Sequence, residues 1–436
     1  MVGASVDVRD AAAALAPATV DELAAAGLVE RDGSRRVRAA IAIRPYGNLL
    51  IASDRNPGTL AERADFVPGP NPVSRLLARH TIRMTVGRAL DLGTGNGIQA
   101  LAAASHAGEV LGTDINPRAL AYAGLNVRLN ATGNVRVAAG AWFEPLDERP
   151  FDLIVANPPF VISPDADLVY RDSGLGPGEL SATLLRAIGD RLQAGGFGHM
   201  TCEWGVRDGE DWSATPRRWV AGTGCDAVVL RHAVFDPIEH AVGWNRRLLG
   251  VAPDRFEDAV ERWAGHHREH GFVAIAAGTV VLRRRSGAGT PWFSALELAA
   301  GPSSEAGHHV RRIFTGEDLV RAAGAHPERL LAERLLPAEG LRVEQTLTTR
   351  GGRWHQRQAR LRIQPGLGLD ARVDTGALDV VFELDGQRDV EEVVRRVAAR
   401  RGEDEQALRA FALAELPGLV RRGLVVRFSD IPGEDR

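Results

Sequence analysis

The chain has 436 residues, of which 25% are charged, with a formal net charge of −3 and two cysteines. That length accommodates two or three domains and a large core, while the near-neutral balance exerts no global pull toward nucleic acid. Two cysteines exclude a disulfide framework, and no apolar run approaches the ~18 residues of a membrane span, so the expectation is a soluble protein of a reducing cytoplasm. All 53 basic residues are arginine, which excludes a catalytic or Schiff-base lysine. The alanine-rich start is interrupted by Asp7, Arg9 and Asp10 and does not read as a secretory signal.

Residues 1 to about 28 predict two short helices anchored by Leu15, Leu23 and Leu28, with Pro17 between them and Thr19 and Asp21 as caps. Asp32-Gly33 is a hairpin signal, and Val37, Ala39, Ile41 and Ile43 alternate with more polar positions. Helices followed by a hairpin resemble a winged-helix module over residues 1–60. Arg31, Arg35, Arg36 and Arg38 could meet phosphate there, but the overall charge favours a solvated hairpin face. Residues 55–72 carry Gly58, Pro68, Gly69, Pro70 and Pro72 and read as a linker or a substrate-facing loop. A helix over 73–83 leads into the next domain.

From Arg88 the pattern alternates. Strands are expected near 88–92, 109–113, 135–138, 151–156, 196–203, 225–234 and 272–284, and helices near 98–106, 117–129 and 179–193. Alternation of this kind predicts an α/β fold with a seven-stranded, mostly parallel, doubly wound sheet over residues 73–285. Arg283 to Gly289 is a boundary signal or a strand end followed by a turn. An α+β module is expected over 290–430. It has helices at 389–401, capped by Asp389, and at 403–421, with Glu403 and Asp404 where acidic groups suit the helix dipole. Leu424 to Phe428 reads as a closing strand, and Glu434 to Arg436 as a frayed tail.

Three signals in the α/β region carry chemistry. Asp91-Leu92-Gly93-Thr94-Gly95-Asn96-Gly97 ends one strand, and its glycines let the backbone turn tightly and approach a ligand. The pattern is Gly-x-Gly-x-Gly, not the dinucleotide Gly-x-Gly-x-x-Gly, because position 98 is Ile. Thr113-Asp114-Ile115-Asn116 ends the next strand, where an acidic residue can accept both ribose hydroxyls of an adenosine-bearing ligand or simply cap the following helix. Asn157-Pro158-Pro159-Phe160 follows the buried strand Phe151 to Ala156, at the carboxyl end where open parallel sheets bind ligands. The prolines fix the backbone and lack N–H groups, so the Pro158 carbonyl and the Asn157 amide oxygen can hold both hydrogens of an –NH₂ group. Phe160 supplies a flat face for stacking.

Together the three motifs resemble the class I S-adenosylmethionine-dependent methyltransferases, specifically the Asn-Pro-Pro-Tyr/Phe branch that includes the HemK-type protein-glutamine N5-methyltransferases, rRNA guanine N2-methyltransferases and adenine N6-methyltransferases. The resemblance covers roughly Val73 to Arg285. It implies that Asp91, Gly93, Thr94, Gly95 and Gly97 hold the methionine part of S-adenosyl-L-methionine, that Asp114 with Ile115 binds the adenosine, and that Asn157, Pro158, Pro159 and Phe160 present the acceptor nitrogen. Ala141-Trp142-Phe143 lies at the adenine contact, where the branch usually has Asp or Ser in place of Ala141; the Trp142 backbone or stacking by Phe143 would serve instead. The small apolar residue after Phe160 looks more like the glutamine-modifying group, which favours a protein or peptide substrate. RNA and a small metabolite are the alternative acceptors, and a binding protein without catalysis is a third reading that the intact acceptor motif opposes. Tyr170, Arg171 and Asp172 are candidates to line the substrate mouth or to form a solvated loop.

Residues 370–430, from Leu384-Asp385-Gly386 onward, resemble a small winged-helix or PqqD-like peptide-binding module. Arg350, Arg353, Trp354, Arg357, Arg360 and Arg362 form a basic run with one aromatic and no acid, which could hold RNA phosphates but reads first as the exposed face of a strand pair. His266-His267-Arg268-Glu269-His270 matches a His-x-x-Glu-His pattern, yet its polar-helix setting away from the sheet end points to no metal. Asp172-Ser173-Gly174 lacks the strand-to-helix elbow of a hydrolase serine.

Overall fold

The computed structural model describes residues 4–55, 63–172, 174–287, 289–298, 306–364 and 366–430. Gly58, Ser173, Ala288 and the tail at 434–436, together with the Arg357 side chain, lie outside the described residues. The chain divides into two compact units: Met1–Ala78 with Met84–Leu296, and Arg79–Arg83 with Glu297–Arg436. No helix among the described residues is long and apolar enough to cross a membrane.

The first unit is built on one large sheet. Its strands in chain order are β1 (Val86–Leu92), β2 (Ala107–Asp114), β3 (Val135–Ala139), β4 (Phe151–Ala156), β5 (Leu192–Arg207), β6 (Cys225–Phe235), β7 (Phe272–Arg284) and β8 (Phe293–Glu297). Across the sheet they run β8-β6-β7-β5-β4-β1-β2-β3. The pairs among β1 to β5 are parallel, and β7 is antiparallel to both β5 and β6. The central strands are apolar runs rather than alternations. Leu153, Ile154, Val155 and Ala156 are all buried, as helix-covered parallel sheets require. Helices Ile98–Ala104, Pro117–Leu129 and Glu179–Arg191 form between strands, and Asn116 caps the second with Pro117 at its first position.

The sheet has eight strands where the alternation predicted seven. The extra edge strand β8 lies beyond residue 285, where the composition change read as a boundary. Its anchor is the buried Asp226 carboxylate, which accepts from Arg283 at 2.6 Å, Arg285 at 2.8 Å and the Trp292 N–H at 3.1 Å. The arginine run is thus part of the strand end. Asp226→Ala would remove the buried carboxylate that two largely buried guanidinium groups share. The expected cost is about 3 kcal/mol, at the low end for a broken buried pair because both arginines keep some solvent; a thermal melt with an unchanged midpoint would refute it.

The N-terminal helices are Val8–Leu15 and Val20–Ala25, the latter closed by a reciprocal capping box between Thr19 and Glu22. Strands Val29–Asp32 and Arg36–Ala39 pair around Gly33. The alternation from Val37 to Ile43 is not one strand: it breaks at Ala40, and Ile41–Tyr46 turns at Gly47 to pair with Leu49–Asp54. This second hairpin docks on the helix after β2. Asn126 brackets the Ala52 backbone from both sides, at 2.7 and 2.9 Å, and Asp54 accepts from Arg118 and Tyr122. Arg31 pairs with Asp21 and Arg38 with Glu30, so both are occupied by acidic neighbours.

The second unit contains a helix at Gly307–Ala323 and three further helices, Thr375–Glu383, Val390–Arg401 and Glu405–Arg421. Asp389 caps the Val390 helix as expected. The helices Gly307–Ala323 and Thr375–Glu383 were not anticipated. Strand Val425–Arg427 closes against Leu335–Pro337.

Candidate active site

In this strand order the direction of winding reverses between β1 and β4, and such a switch point leaves a crevice at the strands' carboxyl ends. Leu92 and Ala156 are register partners at that edge. The glycine loop therefore leaves the sheet beside the Asn-Pro-Pro-Phe segment. A cavity of about 740 Å³ opens there. It is lined by Asp91, Gly93, Thr94, Gly95, Asp114, Ile115, Trp142, Asn157, Pro158, Pro159, Phe160, Tyr170 and Arg171. The fold thus brings together nearly every candidate residue; Gly97 and Phe143 stand back from the lining. Gly97 caps the following helix at φ 84°, and a Cβ there would lie 3.3 Å from Ala123.

The loop conformation depends on its glycines. Gly93 and Gly95 adopt φ 72° and 56°, left-handed values that a side chain resists. Asp91 is buried, and its Oδ2 accepts from the Thr94 hydroxyl at 2.7 Å and the Ala100 N–H at 2.9 Å. Burial pushes the Asp91 carboxyl up to about 7, and the nearby Asp114 adds to the rise. Asp114 accepts from the Gly95 N–H on one oxygen and the Asn116 N–H on the other, both at 2.8 Å. Burial raises its pKa too, against the pull of those N–H groups. The aspartate is therefore both a staple of the glycine loop and a wall of the cavity. Ile115 beside it is 60% exposed, an apolar surface without a protein partner to cover it fully.

Across the cavity, Trp142 has φ 49°, a strained value for a bulky residue. Its carbonyl accepts from Thr113 Oγ1 at 2.9 Å, which holds the turn. Phe143 does not stack into the site: its ring lies under the Arg191 guanidinium at 5.6 Å and packs with the core, outside the cavity lining. The Ala141 N–H is taken by Glu144 at 3.2 Å. Trp142 therefore remains the aromatic group of this turn at the cavity.

Asn157 is positioned by a residue that sequence reading missed. The Thr201 hydroxyl donates to Asn157 Oδ1 at 2.6 Å from the neighbouring strand β5. Two positions along, Glu203 receives the Ile162 N–H at 3.4 Å and His240 Nε2 lies 3.2 Å away. His240 Nδ1 in turn meets His267 Nε2 at 3.1 Å, and burial holds His267 down to about 4, neutral. The signal was present as polar Thr201 and Glu203 within an apolar strand. The His-x-x-Glu-His stretch thus contributes His267 to the support of the loop after Phe160, while His266 and His270 face each other at 4.5 Å.

The remaining wall comes from Phe66 to Pro72, so the proline-rich stretch faces the cavity. Asn96 donates to the Pro68 carbonyl and Asn116 to the Asp65 carbonyl, tying that segment to the glycine loop. Arg171 lines the cavity but its guanidinium is committed to Asp172 at 2.6 Å and Asp165 at 3.3 Å, over the Trp263 ring. It is buried, so Arg171 lines the cavity as a paired guanidinium. Tyr170 lies 5.9 Å from Phe66, ring to ring.

Residues 69–171 match the family model "Methyltransferase small domain", and residues 312–427 match a family described as a domain of unknown function. The chain is 36% identical over 170 residues to the release factor glutamine methyltransferase of Salmonella typhimurium, an alignment covering 36% of this chain and 60% of that protein. It is 42% identical over 112 residues to the enzyme of the same name from Bordetella pertussis, covering 24% of this chain and 40% of that one. The chain thus spans about half the length of these relatives. Among solved structures, a sarcosine dimethylglycine methyltransferase from Galdieria sulphuraria aligns at 16% identity and a TM-score of 0.31, over 48% of this chain and 82% of that one.

Proposed function

We propose, from the class I methyltransferase domain of HemK type to which residues 69–171 belong, that this chain is an S-adenosylmethionine-dependent N-methyltransferase whose acceptor is the side-chain amide of a protein glutamine. The observation that carries the reading is that Asn157 to Phe160 line one cavity together with Asp91 and Asp114.

The cavity suits the cofactor by its donor set. Two buried carboxylates that burial holds above the usual carboxylate range gain most from a cationic ligand. Asp114 keeps lone pairs for a diol beyond its two backbone bonds, and Ile115 and Trp142 offer apolar faces to a flat base. When bound, S-adenosylmethionine supplies a methyl group on a sulfonium, open to in-line displacement. The residues of this chain then act by orientation. Asn157 Oδ1 and the Pro158 carbonyl accept the two N–H bonds of the amide and turn its nitrogen toward the methyl. Phe160 stacks on the amide plane. Pro159 stiffens the segment. The nitrogen forms its new bond to carbon as the carbon–sulfur bond breaks, and the extra proton passes to water; no strong base is required.

Two results test parts of this assignment. Asp91 carries a pKa of about 7 in the free protein. A bound cation favours its ionised form, so binding below pH 7 must release a proton. Cofactor affinity should therefore rise about tenfold between pH 6 and pH 8 and level off above, and Asp91→Asn should flatten the profile in calorimetry. A flat wild-type profile would remove Asp91 from the cation's surroundings. Thr201→Val should lower kcat about tenfold by freeing the Asn157 amide, with cofactor affinity retained; Thr201→Ser should restore the rate. Equal loss in both variants would mean that Thr201 acts through packing alone.

As part of the same proposal, the sheet-bearing first unit, out to its edge strand β8, carries the transfer.

A further inference from the structure

In the second unit, strands Leu341–Arg350 and Arg353–Ile363 form a long antiparallel ribbon that turns at Gly351 and Gly352. Its base is fixed. Leu341, Val343, Ala359, Leu361 and Ile363 pack into the core of that unit, and a third strand, Asp370–Val373, pairs only with Ala359 to Arg362. Beyond Gln345 the ribbon has two strands, and residues 344–355 are exposed on both faces. A bare two-stranded ribbon is marginal in water, so its composition is informative about what it meets.

That composition is basic and aromatic. Between residues 345 and 369 there is no acid and there are five arginines. Arg360 and Arg362, at the base, share Asp370 at 3.4 and 3.8 Å. At the tip, Arg350 and Arg353 are direct cross-strand partners, a like-charge pair that disfavours the hairpin on its own. Neither has an acidic partner among the described residues. Next to them, Trp354 is 71% exposed, opposite Thr349.

We propose that this ribbon is a binding arm for single-stranded nucleic acid, with Arg350 and Arg353 on the phosphates and Trp354 stacked on a base. Single strands expose both partners at once: a polyanionic backbone and unpaired flat faces. A phosphate between the two arginines relieves their repulsion, and the exposed Trp354 indole is a stacking platform that any base can use. A membrane surface would reward more apolar residues at the tip than Trp354 and Leu347. An acidic protein segment would satisfy the arginines but leaves the exposed indole unexplained. This activity is separate from methyl transfer and is carried by the second unit.

The test uses the full chain, with fluorescein-labelled 15-nucleotide oligo-U and oligo-dT followed by anisotropy from 50 to 300 mM KCl. The expected result is salt-sensitive binding of one or both; the difference between them reports whether the arm prefers ribose. Trp354→Ala should weaken it about tenfold. The double variant Arg350→Ala with Arg353→Ala should weaken it further and reduce the log–log salt slope by about 1.4. All three residues are exposed, so circular dichroism should be unchanged in the variants. Absence of binding at 50 mM KCl, or binding that these variants do not alter, would overturn the proposal. Competition by polyglutamate as effective as that by oligo-U, with Trp354→Ala neutral, would overturn it in favour of an acidic protein partner.

Discussion

Asn157→Ala should reduce kcat by about a hundredfold to a thousandfold, the loss that follows removal of one well-placed hydrogen-bonding group from a reacting centre, while cofactor affinity stays within about twofold. The separation of the two effects matters more than the size of either. Asn157 lines the same cavity as Asp91 and Asp114 but is held by Thr201, not by the glycine loop. Its loss therefore leaves the cofactor wall intact and removes one of two acceptors for the substrate amide. Single-turnover rates and equilibrium binding on the same preparation resolve this. A variant that turns over at the wild-type rate would show that the acceptor is bound elsewhere.

Asp114→Ala should act in the opposite way. Cofactor affinity should fall at least about tenfold, through loss of hydrogen bonds to a charged group, and turnover should return in part at saturating cofactor. The residue has a second duty that enlarges the effect. Its carboxylate accepts the Gly95 and Asn116 N–H groups, so alanine also loosens the loop that the cofactor must meet. Asp114→Asn separates the two duties. It keeps one acceptor oxygen for a backbone N–H but cannot accept from both ribose hydroxyls, so it should bind cofactor better than alanine and worse than wild type. Unchanged affinity in both variants would leave Asp114 as a helix cap.

The sheet was legible in the sequence because its strands are buried runs bounded by glycine, asparagine and proline, and because each helix between them has a local start signal. The helix over 117–129, for example, is fixed by Asn116 and Pro117. The candidate site was legible for a related reason: glycines, an acid and prolines at strand ends cost stability unless a site uses them. What escaped was set by tertiary pairing. Thr201 sits inside an apolar strand, and only the parallel pairing of β4 with β5 reveals that it reaches Asn157. Phe143 was the stacking candidate in sequence, with Trp142 offering its backbone; the turn places Trp142 in the cavity lining and the Phe143 ring against Arg191. The pairing of Arg171 with Asp165, six residues before it, likewise belongs to the folded loop. Strand β8 is a five-residue edge whose anchor, Asp226, lies on another strand.

The central claim is that methyl is transferred to an amide nitrogen in a protein. The most direct measurement incubates the full chain and methyl-tritiated S-adenosylmethionine with a bacterial extract, then divides the label among protein, RNA and small molecules and maps the protein fraction by mass spectrometry. The account predicts protease-sensitive, ribonuclease-resistant label on a glutamine side-chain nitrogen, absent with Asn157→Ala. Label that ribonuclease releases, or that partitions with small molecules, would contradict it.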